Sequence, residues 1–135
     1  MLEIFNDLMP FFEDCYKELG VREYSRKKRI SPPTASSKLK GYMNEGLLKF
    51  EKNRTYLFFR AHRESWLFVD LSRAYWKKKL ESEGLIEFLN KAFNYPAIIL
   101  FGSLAKGENK KTSDIDLAII GFSKKADISK FEKKL

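Results

Sequence analysis

Apolar residues at Leu2, Phe5, Leu8, Met9, Phe12, Tyr16 and Leu19 recur at spacings of three and four, which predicts a helix over residues 2–19. Pro10 is expected to kink or restart it, and Gly20 to end it. Residues 21–29 (VREYSRKKR) suit a short polar helix with Val21 and Tyr24 facing inward. Ile30-Ser31-Pro32-Pro33 breaks it. Ser31 can cap the next helix, with a proline in the first turn, where a missing N–H costs nothing. That helix runs to about Glu45, with Ala35, Leu39 and Met43 as its core stripe and Gly46 as its end. Two β-type runs follow, 47–50 and 56–60, around the polar turn 51–55, and together they predict a hairpin.

Helix, helix, turn, helix and hairpin is the order of a winged helix-turn-helix, assigned to residues 1–62. From about Arg63 the chain turns helical again, with Trp66, Val69, Leu71 and Tyr75, then Leu80, Leu85, Ile86, Leu89 and Phe93. Lys77-Lys78-Lys79 interrupts this pattern as an expected joint, and Asn94-Tyr95-Pro96 ends it. Residues 63–95 therefore form a helical connector. Residues 97–101 carry a buried-strand pattern broken by Gly102, residues 104–107 suit a short helix or turn, and 108–113 a polar loop. Residues 115–120 form a second apolar strand, and 126–135 begin another helix. The expected fold class is α+β, with a partial α/β sheet over residues 96–135.

Composition narrows the partners. Hydrophobic residues make up 44% of the 135, enough for a core and too many for a disordered chain. The longest apolar run is far short of the ~20 residues that span a bilayer. The start MLEIFNDLMP lacks the pattern of a secretory signal, so a cytoplasmic protein with no membrane partner is expected. One cysteine, Cys15, excludes a disulfide framework, and His62 alone leaves no zinc cluster. Residues 1–20 hold one basic residue against five acidic, whereas 21–63 hold twelve basic against three. The basic block favours double-stranded DNA or another polyanion. Thr34, Ser37 and Lys38 are expected nearest the base edges. Lys40, Lys52 and Arg54, with Arg26 and Lys27, are expected on phosphates. The aromatic surplus is core and inter-unit packing, and is compatible with a homodimer.

The chemistry concentrates near the C-terminal end. Asp114 and Asp116 stand two apart at the start of a strand, where side chains alternate, so both carboxylates are expected on one face. Two hard oxygen ligands there can hold Mg²⁺. Gly102-Ser103 ends the other strand, and glycine lets backbone N–H groups approach a phosphate. Lys106, Lys110 and Lys111 add positive charge. Phosphates gripped on one side and metal on the other suit phosphoryl or nucleotidyl transfer.

An apolar strand, Gly-Ser, ten residues, Asp-x-Asp and a second apolar strand together resemble the nucleotidyltransferase superfamily of DNA polymerase beta. More specifically, they resemble the minimal nucleotidyltransferases of prokaryotes, often archaeal. The resemblance implies that Gly102 and Ser103 bind the phosphates of a nucleoside triphosphate, helped by Lys106. It implies that Asp114 and Asp116 are catalytic and bind Mg²⁺, with two ions in an intact site. The segment VREYSRKKRISPPTASSKLKGYMNEGLLKFEKN looks like a winged helix preceding such a domain, with Arg29 where related sequences often carry glycine. The acceptor implied is a partner protein, as in toxin–antitoxin pairs. Family enzymes take a third carboxylate from a later strand, whereas here only Asp127 and Glu132 follow Asp116. Two alternative readings, compatible in one chain, are therefore expected. One is Mg²⁺-dependent transfer of a nucleoside monophosphate, impaired at this length. The other is transcriptional regulation through DNA binding by a chain whose nucleotidyltransferase part is truncated or degenerate.

Overall fold

The computed structural model describes residues 1–121 and 129–132. The chain runs α1 (Glu3–Glu13), β1 (Glu18–Leu19), α2 (Val21–Lys28), α3 (Pro32–Asn44), β2 (Leu48–Asn53), β3 (Tyr56–Ala61), α4 (Trp66–Ser82), α5 (Leu85–Phe93), β4 (Ala97–Phe101), α6 (Ser103–Lys106), β5 (Asp116–Ile120) and α7 (Ser129–Glu132). This is an α+β fold with two antiparallel sheets, one of order β1-β3-β2 and one of β4-β5. Among the described residues no helix is long and apolar enough to cross a membrane.

The first helix is shorter than its periodicity predicts. It keeps Pro10 inside but stops at Glu13. Asp14 Oδ1 accepts the Tyr16 N–H at 3.0 Å, which turns the backbone, and Glu18–Leu19 then pair with Arg60 and Phe59. Tyr16 is consequently exposed rather than inward. The next two helices follow the sequence closely. Ser31 Oγ accepts the Thr34 N–H at 3.3 Å, and both prolines fall in the first turn of α3. Arg29 closes α2 in the left-handed conformation (φ 56°), with its N–H on Arg26 and Ser25 carbonyls. A non-glycine residue can take this role at the end of a helix at modest cost. The hairpin turn is tighter than expected. Strand pairing extends to Asn53↔Tyr56, leaving only Arg54 and Thr55 in the turn, with Arg54 at φ 58°.

Lys77-Lys78-Lys79 is not a joint. It lies inside α4, because lysine is a good helix former when exposed and the apolar face continues through Tyr75, Trp76 and Leu80. The break comes at Glu83–Gly84, where Gly84 takes φ 85°.

One core cluster gathers α1, α2, α3, the first sheet, α4 and Leu104 of α6. Phe12 is fully buried at its centre. Its ring stacks on Phe68 at 5.4 Å and Tyr75 at 5.1 Å, with Phe5 edge-on at 6.2 Å. A second cluster holds Leu80, Leu85, Leu89 and Phe131 under β4 and β5. Among the described residues the β4–β5 sheet is covered on one side only. Ile98 and Leu100 turn toward that cluster, whereas Ile99 and Phe101 stand exposed on the other face, so the buried-strand expectation holds for alternate residues alone.

Cys15 lies fully buried in the turn after α1, and burial pushes its thiol up from 9.0 to about 12. The unfolded thiol ionises above its ordinary value while the native one stays protonated. Stability from this group is therefore intact below pH 9 and lost as pH rises toward 12, by about 1.4 kcal/mol per pH unit. Between pH 8 and pH 10 the parent chain should lose about 1.4 kcal/mol more than Cys15→Ala in urea melts. Equal losses in the two proteins would contradict this assignment.

Candidate functional site

β4 ends where the ladder with β5 ends, at the pair Phe101↔Asp116. Gly102 then turns the chain with φ 75° and ψ −153°, a region that essentially only glycine occupies. A Cβ placed on Gly102 would overlap Asp116 Oδ2 and lie 3.1 Å from its Cγ. The half-buried Asp116 carboxylate thus rests directly on the bare Cα of Gly102, beside Ser103, the first residue of α6. Gly102 and Asp116, predicted from two separate motifs, thus meet at one turn.

Asp114 departs from the expected arrangement. β5 begins at Asp116, because Gly102 swings β4 away and leaves residues 114 and 115 without a strand partner. The alternation argument for a common face therefore does not reach Asp114, which is exposed in the preceding loop. Neither Asp114 nor Asp116 has a hydrogen-bond or ion-pair partner among the described residues. Among the described residues no group of three or more His, Cys, Asp or Glu side chains stands ready to hold a metal ion. Asp127 lies outside the described residues, and Glu132 is the last residue of α7. The Asp116 carboxylate, without a cation partner among the described residues and set against a glycine turn, fits a hard divalent ion that takes its other ligands from phosphate, water and a neighbouring carboxylate such as Asp114.

Lys106 is exposed at the end of α6. Lys110 sits instead over the Tyr16 ring, 5.4 Å from its centroid, opposite Arg63 at 4.1 Å. The polar loop 108–113 is thereby bound to the N-terminal part of the chain. Its anchor is Asn109, fully buried, which sequence reasoning missed. The Asn109 Nδ2 donates to the Phe12 carbonyl at 2.9 Å and the Glu13 carbonyl at 3.3 Å. Its Oδ1 accepts from the Cys15 thiol at 3.2 Å, and its carbonyl accepts the Cys15 N–H at 2.8 Å. The last carbonyls of a helix need such partners, but nothing in the composition of a Lys-rich loop marks this asparagine as the one that supplies them.

Residues 83–135 match the family model described as Polymerase beta, Nucleotidyltransferase. The matched nucleotidyltransferase segment contains Gly102, Ser103, Asp114 and Asp116, and it takes in α5 as well as β4, α6 and β5. No curated protein and no solved structure matches the chain.

The residues expected on DNA lie well apart from the Gly102 turn in the chain. Thr34, Ser37 and Lys40 are exposed on α3, and Lys52 and Arg54 are exposed at the hairpin end. Lys38 does not join them. Its ammonium bonds Glu3 at 2.9 Å and Asp7 at 3.0 Å on α1, contacts that raise its pKa. Asp7, nearly buried, also accepts from Tyr42 Oη at 2.5 Å, so Lys38 satisfies a network that fixes α3 on α1. At position 38 the acidic face of α1 engages the charge.

Proposed function

We propose that the chain binds a nucleoside triphosphate at the Gly102–Ser103 turn and transfers its nucleoside monophosphate to an acceptor hydroxyl, releasing pyrophosphate. The observation that carries this reading is the Asp116 carboxylate, unpaired among the described residues, against the bare Cα of Gly102, inside the segment that matches the nucleotidyltransferase family. Gly102 and Ser103 would hold the phosphates by their backbone N–H groups, with Lys106 adding charge. Asp114 and Asp116 would hold Mg²⁺, which when bound neutralises phosphate charge and polarises the reacting phosphoryl group. Asp114, in a loop, is free to move toward Asp116 as a ligand arrives. The test is incubation of the full chain with Mg²⁺ and labelled ATP, CTP, GTP and UTP, with and without protein acceptors. At least one nucleotide should bind in a Mg²⁺-dependent way and lose affinity in Asp114→Asn and Asp116→Asn by at least the roughly 10–100-fold that removing an outer-shell partner costs. Neither binding nor transfer with any of the four would sink the proposal.

A second reading belongs to the same chain. The order α1-β1-α2-α3-β2-β3, with a three-stranded sheet and a two-residue hairpin turn, supports a winged helix-turn-helix that binds duplex DNA. On this reading α3 enters the major groove with Thr34 and Ser37, while Lys40, Lys52 and Arg54 contact phosphates. The triple change Lys40→Ala/Lys52→Ala/Arg54→Ala should weaken binding across sequences and flatten the dependence of log K on log salt by about 3. An unaltered slope would leave the hairpin and α3 outside the interface.

A further inference from the structure

Between α2, α3 and the hairpin lies an open groove of about 810 Å³, separate from the Gly102 turn. Val21, Met43, Phe50, Leu57 and Phe59 form its apolar wall. Phe50 and Leu57, on the same face of the hairpin, expose 47% and 50% of their surfaces, which solvent-facing aromatic and aliphatic residues rarely do without a partner. Gly20 lets the hairpin close on α2: a Cβ there would stand 3.3 Å from the Leu57 carbonyl oxygen.

Three of the four charged side chains on the groove are positive. Arg22, Arg26 and Lys40 border it, and none has an acidic partner among the described residues. The acid on the rim, Glu23, accepts from Tyr56 Oη at 2.6 Å and so is turned to the hairpin. An apolar concavity of a few hundred to a thousand cubic ångströms with a few polar groups on one side is the usual form of a small-molecule site. The geometry points to a site for a small amphipathic anion, a molecule with an apolar body and one carboxylate, phosphate or sulfate head. The body covers Phe50, Leu57 and Met43, and the head meets Arg22, Arg26 and Lys40.

Because Lys40 lies both on this rim and on the face proposed for DNA, an occupant of the groove competes with a phosphate for the same ammonium. The site therefore gives the chain a means of sensing an apolar acid, a role that the nucleotidyltransferase turn does not supply.

The test uses the full ¹⁵N-labelled chain and probes of matched shape: naphthalene-2-carboxylate, the corresponding methanol and methylamine, and octanoate as a second acid. Inorganic phosphate and duplex DNA are the remaining arms. The carboxylates should shift the amide resonances of Val21, Met43 and Leu57 and bind at least tenfold more tightly than the alcohol or the amine. Leu57→Glu, an exposed position, should abolish binding without lowering the melting temperature. Arg22→Ala/Arg26→Ala, which serves if Leu57→Glu proves unstable, should remove the preference for the acid and leave alcohol binding unchanged. Bound DNA should weaken the acids' binding through Lys40, whereas equal affinity for all three naphthalenes, no binding of either acid, or the same shifts of these amides with inorganic phosphate alone would each overturn the proposal.

Discussion

Phe12→Ala is expected to cost about 3–5 kcal/mol of stability, the range for emptying a well-packed aromatic site. The ring is fully buried and stacked between Phe68 and Tyr75 of α4, so its loss removes the contact on which α1 and α4 pack. The neighbours cannot easily collapse into the space. Tyr75 is held by its hydroxyl on Glu13, and Trp76 by its indole N–H on the Phe12 carbonyl at 3.3 Å. Tyr75 also packs edge-on to Trp76 at 5.3 Å. A cavity therefore persists, and its cost is added to the lost burial. Urea denaturation should show the midpoint falling with an unchanged slope. A loss below about 1 kcal/mol would mean that α1 and α4 do not share this core.

Gly102→Ala is expected to uncouple the candidate site from the fold. Alanine at φ 75° and ψ −153° is strained by about 1–3 kcal/mol, and its Cβ collides with the Asp116 carboxylate. Either the turn rearranges or the carboxylate leaves. Both outcomes separate the backbone N–H groups proposed for phosphate from the oxygen proposed for metal. Mg²⁺-dependent nucleotide affinity should fall at least tenfold. The large core cluster should be little affected, because only Leu104 of α6 reaches it as a buried residue. Measuring affinity and melting temperature on the same variant separates the two effects. Unchanged nucleotide affinity would remove Gly102 from the site.

Features set by a residue's immediate neighbours were legible in the sequence. Ser31 before two prolines caps α3 because the hydroxyl, the fixed φ and the absent N–H all favour the same start. Gly102 after five apolar residues ends β4 because no other residue takes that conformation cheaply. Features set by distant partners were not legible. Tyr16 fits the helical period, yet pairing of β1 with β3 ends the helix early. Lys38 fits a basic face, yet Asp7 and Glu3, more than thirty residues earlier, draw it to α1. The alternation of β5 stops at Asp116 because its partner strand stops there, a fact about the other strand. Asn109 is the extreme case, since its partners lie more than ninety residues away.

Asn109 also bears on how the molecule responds as a whole. Its amide completes the last turn of α1, seven residues along the chain from Gly102, and the intervening turn at Gly107 packs against Val69 of α4. A molecule gripped at Gly102 and Ser103 would damp the thermal motion of that short span, and with it the fraying of α1. Heating should therefore release both ends of the chain in a single calorimetric peak, and a nucleotide that shifts the peak should slow hydrogen exchange of amides in α1, a helix it never touches.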